Sequence, residues 1–147
     1  MKGQRLEENI SADDIISTPA YLAADLDAGL WIGSYDGPLA RYRNGHTEVI
    51  ALGNSERHAT SFDLSVDSDD GVWVPTANGL YRWKDGRQNL MDSRNGLPCP
   101  QILSAIKDND GSLWLYSQCG LLKISAADLA NWLALPESQV SLSLIHI

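Results

Sequence analysis

Two clusters of acidic residues have the clearest potential for chemistry in this sequence. They are Asp67, Asp69 and Asp70, and Asp108, Asn109 and Asp110. Such clusters begin like a calcium-binding loop, which also requires glycine at its sixth place and a bidentate glutamate at its twelfth. Neither cluster supplies both residues. Aspartate and asparagine are preferred in tight turns, so the clusters predict turns and no metal site.

The two cysteines, Cys99 and Cys119, offer a different chemistry. In the strand order derived below they fall at the same end of one antiparallel sheet, where a disulfide is geometrically feasible. Its formation would indicate an oxidising compartment. Two unrelated buried thiols fit the sequence equally well. Both alternatives stay open.

The sequence contains no arrangement typical of catalysis. Its only histidines are His46, His58 and His146, and it lacks a nucleophile elbow, a phosphate-binding loop and an H-E-x-x-H pair. Of the three, His58 is the one candidate for a buried acid–base group. We therefore expect a non-enzymatic domain that needs no cofactor.

The aspartate clusters described above belong to an internal repeat. Trp31, Trp73 and Trp114 lie 42 and 41 residues apart, and an aspartate stands six residues before each. The turn glycines keep the same spacing; they are Gly37, Gly79 and Gly120. Because these markers hold a fixed register, we interpret all six tryptophans and glycines as structural, and a ligand-stacking ladder of tryptophans as the less favoured alternative.

Each repeat consists of short apolar runs separated by Asp-Gly and Asn-Gly pairs, which are typical of tight hairpins. Four antiparallel strands in about 40–45 residues is the size of a β-propeller blade. The sequence therefore predicts an all-β chain, a partial β-propeller of about three four-stranded antiparallel blades. A short helical insert is predicted at 125–134, where Ser125 is a suitable N-cap.

The repeat also predicts the domain boundaries. They are 1–18 for the end of a preceding blade or a linker, 19–53 for blade one, 54–94 for blade two, 95–135 for blade three with its insert, and 136–141 for the start of the next blade. Residues 142–147 match the translation of a sequencing-adaptor end, or else form an ordinary apolar strand. A closed propeller needs at least about four blades, so we expect a piece of a longer protein.

Ligands of propellers generally meet the central funnel, so residues that depart from the repeat near the inner strands and their loops are the binding candidates. They are Tyr35, Arg57, His58, Tyr116 and Gln118. Plain surface is the alternative for each of them.

The repeats resemble the two-component regulator propeller repeat. The matching stretches are DDGVW at 69–73, NGLYR at 78–82 and DGSLW at 110–114, and NGLP at 95–98 is similar to the family's inter-blade linker. Blade one departs from the pattern, because a proline follows Gly37 and a glycine stands two residues before Trp31 instead of the three found in DGSLW.

The resemblance implies a periplasmic or extracytoplasmic sensor that is anchored in a membrane through other parts of its parent protein. The parent would be a homodimer with a histidine kinase or diguanylate cyclase output, and the ligand an unknown small molecule or glycan. A propeller enzyme, such as a small-molecule lyase, or a purely structural interaction module remain alternatives.

Composition and charge argue against nucleic acid as a partner and against a membrane-spanning segment. A net charge of −8 opposes contact with the phosphates of nucleic acid. No apolar run approaches the ~18–20 residues that span a bilayer, and the first residues lack the apolar core of a signal peptide.

Overall fold

Three four-stranded antiparallel sheets make up the fold in the computed structural model, which describes residues 19–26, 28–35, 38–53 and 60–145. The first sheet contains β1 (Pro19–Ala24), β2 (Leu30–Ser34), β3 (Leu39–Arg43) and β4 (His46–Ile50). The second contains β5 (Ser65–Val66), β6 (Val72–Thr76), β7 (Gly79–Lys84) and β8 (Arg87–Met91). The third contains β9 (Ile102–Lys107), β10 (Leu113–Ser117), β11 (Gly120–Ile124) and β12 (Ser143–Ile145). In each sheet the strands pair in chain order, which confirms the predicted partial propeller of three blades.

The turn chemistry explains the hairpins. Asn44-Gly45 and Asp85-Gly86 both have positive φ at two successive residues, as a tight two-residue hairpin requires. The turn between the first two strands of each blade has a positive φ three residues before the tryptophan, at Ala28, Asp70 and Gly111. Blade one therefore keeps the common turn geometry, and its Gly29 stands two residues before the tryptophan as Gly71 does in blade two, whereas in blade three the glycine itself takes the positive φ.

A helix decorates the third blade. The helix α1 (Ala126–Ala134) begins after Ser125, whose Oγ accepts the Asp128 N–H at 3.2 Å. Its buried residues Leu129 and Trp132 pack into the core between blades two and three. The outer strand of this blade comes only after the helix, so the third sheet extends to Ile145 and beyond the expected range of 95–135.

Each pair of neighbouring blades encloses one apolar core. The core between blades one and two contains Trp31, Leu39, Leu64, Val74 and Trp83. The core between blades two and three contains Trp73, Leu80, Leu115, Leu122 and Trp132. In both cores, a tryptophan of one blade contacts a tryptophan of the following blade. The ring centroids of Trp31 and Trp83 in β7 are 5.2 Å apart, and those of Trp73 and Trp132 in α1 are 6.1 Å apart. Stacking therefore places equivalent strand ends of all three blades on common surfaces.

Candidate functional site

The aspartate clusters form turns that are held by their own carboxylates. Asp67 Oδ1 accepts the backbone N–H groups of Asp69 and Gly71, and Oδ2 accepts Trp73 Nε1–H at 2.7 Å and Arg82 Nη2–H at 3.3 Å. Burial opposes ionisation of this carboxyl, but the N–H donors and the Arg82 charge lower its pKa below the ordinary value. These bonds give the cluster a structural role within blade two.

Blade three repeats the aspartate–tryptophan bond, since Asp108 Oδ2 accepts Trp114 Nε1–H at 2.8 Å, and all three blades share a cation that we did not predict from the sequence. Each tryptophan lies directly across the hairpin from a basic residue whose charge sits over its ring, at 4.9 to 5.2 Å from the centroid. The pairs are Trp31 with Arg41, Trp73 with Arg82, and Trp114 with Lys123. The signal was present, since each base follows the turn aspartate by 15 or 16 residues. The recurring unit is therefore aspartate, tryptophan and cation.

Blade one uses the unit differently and connects it to blade two. Arg41 donates to both oxygens of Asp25, at 2.8 and 3.1 Å, and to Asp70 of the next blade at 3.1 Å. The Asp25 side chain is fully buried. Burial and the nearby Asp25 carboxylate raise the pKa of Asp70. The hydrogen bond that Arg41 donates to Asp25 raises the pKa of Arg41. Two carboxylates thus share one guanidinium across the boundary between the blades.

The opposite end of the three sheets forms what we call the turn face, made by Tyr35 and Pro38 between β2 and β3, and by the β6–β7 and β10–β11 turns at 77–78 and 118–119. Residues 60–61, which precede blade two, contact this face. Ser61, which is buried, donates through Oγ to the Ser34 carbonyl and through N–H to the Tyr35 carbonyl. Thr60 accepts the Ala77 N–H at 3.0 Å. These bonds fix the positions of neighbouring turns.

Tyr35 is half-exposed on the turn face, where Tyr21 and Asp63 lie nearby. The Tyr21 hydroxyl donates to the Ser61 carbonyl at 3.0 Å. Burial raises the pKa of Tyr21, and the neighbouring Tyr35 and Asp63 add to the shift. This end of blade one therefore offers an aromatic ring, a carboxylate and backbone groups in a fixed arrangement.

Blade three contributes the other described binding candidates. Gln118 is exposed in the β10–β11 turn, and its N–H donates to the Gln101 carbonyl at 3.1 Å. Beside it, the structure pairs Cys99 with Cys119, with a Cα–Cα distance of 6.1 Å. Tyr116 lies instead within β10, on the same face of the sheet as Trp114 two residues earlier. The turn face of this blade is therefore represented by Gln118.

Three of the predicted residues cannot be placed on this surface. Arg57, His58 and Gly37 fall outside the described residues. The described glycines of the repeat, Gly79 and Gly120, both have positive φ at the start of the third strand. At Gly79 a Cβ would collide with the Met91 carbonyl of the neighbouring strand, so this position requires glycine both for φ and for space.

A groove of 590 Å³ runs between the inner strands of blades two and three. Its polar lining includes Ser65, Asp67 and Lys107. The Asp67 carboxylate is hydrogen-bonded to Trp73 and Arg82. Lys107 Nζ lies 3.9 Å from Asp69 Oδ2. The groove is thus lined by groups that already make structural contacts, within blade two at Asp67 and between blades two and three at Lys107. Within the described part of the chain, no helix is long and apolar enough to cross a membrane.

Comparison with known proteins supports the fold. The chain superposes on the extracellular domain of BT3049 from B. thetaiotaomicron, assigned as a hybrid two-component system, with a TM-score of 0.67 and 16% identity. It superposes on a streptogramin B lyase with a TM-score of 0.63 and 17% identity. For the extracellular domain of BT4673 from B. thetaiotaomicron, assigned as a one-component system, the TM-score is 0.58 and the identity 23%. The matches cover 86%, 88% and 70% of this chain.

Together with the three sheets, these likenesses define the chain as several blades of a β-propeller. The chain spans 18% of the BT3049 domain, 41% of the lyase and 15% of the BT4673 domain. No protein-family model and no curated protein sequence matches it. At these identities the likeness establishes the fold, and function must be argued from the surface.

Proposed function

We propose that this chain is part of a non-enzymatic sensing propeller on the extracytoplasmic side of a membrane-anchored signalling protein, with a sensor histidine kinase as its output. The turn face receives the ligand, a small molecule or a neutral glycan. The observation that carries the proposal is the contrast between the two ends of the blades. At one end the side chains of Asp25, Asp67 and Asp108 hold the structure, whereas at the other Tyr35 and Gln118 are exposed on a backbone fixed by hydrogen bonds.

The physical character of the turn face supports an uncharged ligand. An exposed tyrosine provides an apolar ring with a polar tip, and an exposed glutamine provides both a donor and an acceptor. A net charge of −8 repels polyanions at moderate ionic strength. Neutral sugars, which combine apolar faces with hydroxyl groups, fit these groups better than acidic ones.

The proposal can be tested by NMR titration of the ¹⁵N-labelled chain with maltohexaose and cellohexaose, with a heparin hexasaccharide as the anionic comparison. We expect a neutral sugar to shift amide signals of the turn face. Tyr35→Ala and Gln118→Ala should each weaken binding about tenfold, the loss expected for about 1.4 kcal/mol of contact energy.

Tyr42→Ala is the matched control, because this tyrosine lies at the opposite end of blade one, beside the 44–45 hairpin. It should leave the affinity unchanged. Shifts confined to the hairpin end, or equal losses from the Tyr35 and Tyr42 variants, would contradict a ligand site on the turn face.

A propeller lyase is the second candidate, favoured by the fold shared with the streptogramin B lyase and with a virginiamycin B lyase from Staphylococcus aureus crystallised with quinupristin. His58 would be its acid–base group. Incubation with quinupristin, followed by mass spectrometry, should show no conversion if the sensing proposal is right. Turnover that His58→Ala abolishes would establish the lyase instead.

A further inference from the structure

The β7–β8 hairpin of blade two carries three cations on one face of the sheet. Arg82 lies directly across from Asn89, and Lys84 lies directly across from Arg87. Side chains two residues apart on a strand share a face, so these four groups lie together. A groove of 350 Å³, which we call the hairpin groove, runs along this face and is lined by Arg82, Lys84, Asp85, Arg87, Asn89 and Leu133 of α1.

The positive charge of the hairpin groove is only partly balanced. Lys84 and Arg87 are like charges placed directly across a strand pair, an arrangement that is destabilising by itself. Within the described part of the chain, neither forms an ion pair. Asp67 balances Arg82, and Asp85 is the acid in the lining. The groove therefore keeps a surplus of positive charge.

Arg82 also lacks a hydrogen-bond acceptor. Its guanidinium is buried; Nη2 donates to Asp67, and Nε has no partner among the described residues. In blade one, Nε of the equivalent Arg41 donates to Asp25 at 2.8 Å. A buried donor without an acceptor is costly. The same guanidinium lines the hairpin groove, so an acceptor bound there can meet this demand.

Blade one shows what the equivalent place in blade two lacks. The β3–β4 hairpin has the same register, with Arg41 across from Glu48 and Arg43 across from His46. These four residues are in the lining of a smaller groove of 260 Å³. Blade one thus supplies a carboxylate of its own at the position where blade two has the neutral Asn89.

We propose that the hairpin groove of blade two binds a small oxyanion, whose charged group takes the place that corresponds to the Glu48 carboxylate of blade one. Carboxylate, phosphate and sulfate groups share the chemistry that lysine and arginine side chains recognise. A net charge of −8 favours a ligand with a single charged group over a polyanion. The inference does not depend on the proposed sensing function, because the groove lies at the end of blade two opposite to the turn face.

Titration of the ¹⁵N-labelled chain with phosphate and with acetate tests the proposal, with chloride at the same ionic strength as the reference. We expect saturable shifts of amide signals at 82–89 and a higher unfolding temperature, since the anion binds the folded state. Glucuronate is then compared with acetate. Tighter binding of glucuronate assigns the groove to the charged end of a larger molecule, and equal or weaker binding assigns it to a free ion. Both results uphold the site, whereas shifts no larger than those with chloride would overturn it.

Asn89→Glu is the most direct variant, because it gives blade two the carboxylate that blade one already has. It should abolish anion binding and raise the unfolding temperature in the absence of the anion, since it balances Lys84 and Arg87. Lys84→Gln and Arg87→Gln should each weaken binding about tenfold, the value of about one charge-assisted hydrogen bond. Unchanged binding by the Asn89→Glu variant would show that the anion does not enter this groove.

Arg43→Gln is the matched control, since it removes the same charge from the equivalent position of blade one. It should leave the affinity unchanged. A loss equal to that of Lys84→Gln would show a general attraction to positive charge and would overturn the site. Circular dichroism and thermal unfolding of every variant will separate loss of the site from loss of the fold.

Discussion

At the scale of single residues, the turn aspartates are the chemically most demanding groups of this molecule. Asp67 accepts four hydrogen bonds while it is almost completely buried, and its partners Trp73 and Arg82 are buried as well. Removal of such an acceptor leaves donors in an apolar environment with nothing to bind, which costs more than the bonds themselves contribute.

Asp67→Asn should therefore lower the free energy of unfolding by about 3 kcal/mol, because an amide cannot balance the buried Arg82 charge. Asp108→Asn is the matched comparison, with Lys123 over its tryptophan in a more open setting. Its effect should be clearly smaller. Urea denaturation measures both, and equal losses would contradict the role assigned to Arg82.

Asp70 should affect the pH dependence of stability in the direction opposite to Asp67. Its pKa in the folded protein is raised by burial and by Asp25, so the folded state binds this proton more tightly than the unfolded state. The contribution of Asp70 to stability is therefore present at acid pH and is lost as the pH rises through the folded pKa. Asp67, with a lowered pKa, contributes above its unfolded pKa and loses that contribution as the pH falls.

Asp70→Asn imitates the protonated acid and tolerates the positive φ of this position. The variant should gain stability relative to the original chain as the pH rises from acid to neutral, as followed by urea denaturation at several pH values. A relative stability that falls over this range would show that the Arg41 ion pair outweighs the repulsion from Asp25.

At the scale of elements, strands and turns were predictable because their causes are local. Asn44-Gly45 and Asp85-Gly86 fix the hairpins by their φ preferences, and Ser125 marks the start of α1. The cations were missed, because their constant spacing from the turn aspartate gains meaning only once the hairpin register places Arg41 and Arg82 across from the tryptophans. The link from Asp25 to Asp70 was beyond prediction, since it depends on how two blades stack.

The helix α1 should be an integral part of the third blade. Trp132 is fully buried against Trp73, so Trp132→Ala should lower the free energy of unfolding by about 3–5 kcal/mol. Asn131, the exposed residue before it, provides the control. If Trp132→Ala and Asn131→Ala have equal effects on thermal or urea unfolding, the packing described for the helix is incorrect.

Cys99 and Cys119 should be linked in the protein when it is exported to an oxidising compartment. The bond would close a loop of about 20 residues and contribute about 3 kcal/mol by restricting the unfolded chain. Thiol titration in denaturant should find no free thiol without reductant and two with it. Two free thiols before reduction, in protein purified from a periplasm, would contradict both the bond and the proposed location.

At the scale of the whole molecule, the repeat determines the architecture and leaves the function to positions that differ between blades. The spacing of 42 and 41 residues was sufficient to predict three sheets of four strands. It could not place Tyr35 or Gln118 relative to each other, because that depends on the angle between stacked sheets. Tyr116 was locatable, since a residue two positions after Trp114 shares its side of the strand.

The stacking of the blades is the central claim, because both the cores and the turn face depend on it. An ¹⁵N-edited NOESY spectrum of the five tryptophan indoles tests it directly. We predict cross-peaks between Trp31 and Trp83, from blades one and two, and between Trp73 and Trp132, from blade two and α1. Cross-peaks that connect Trp31 with Trp132, or the absence of both predicted pairs, would contradict the account.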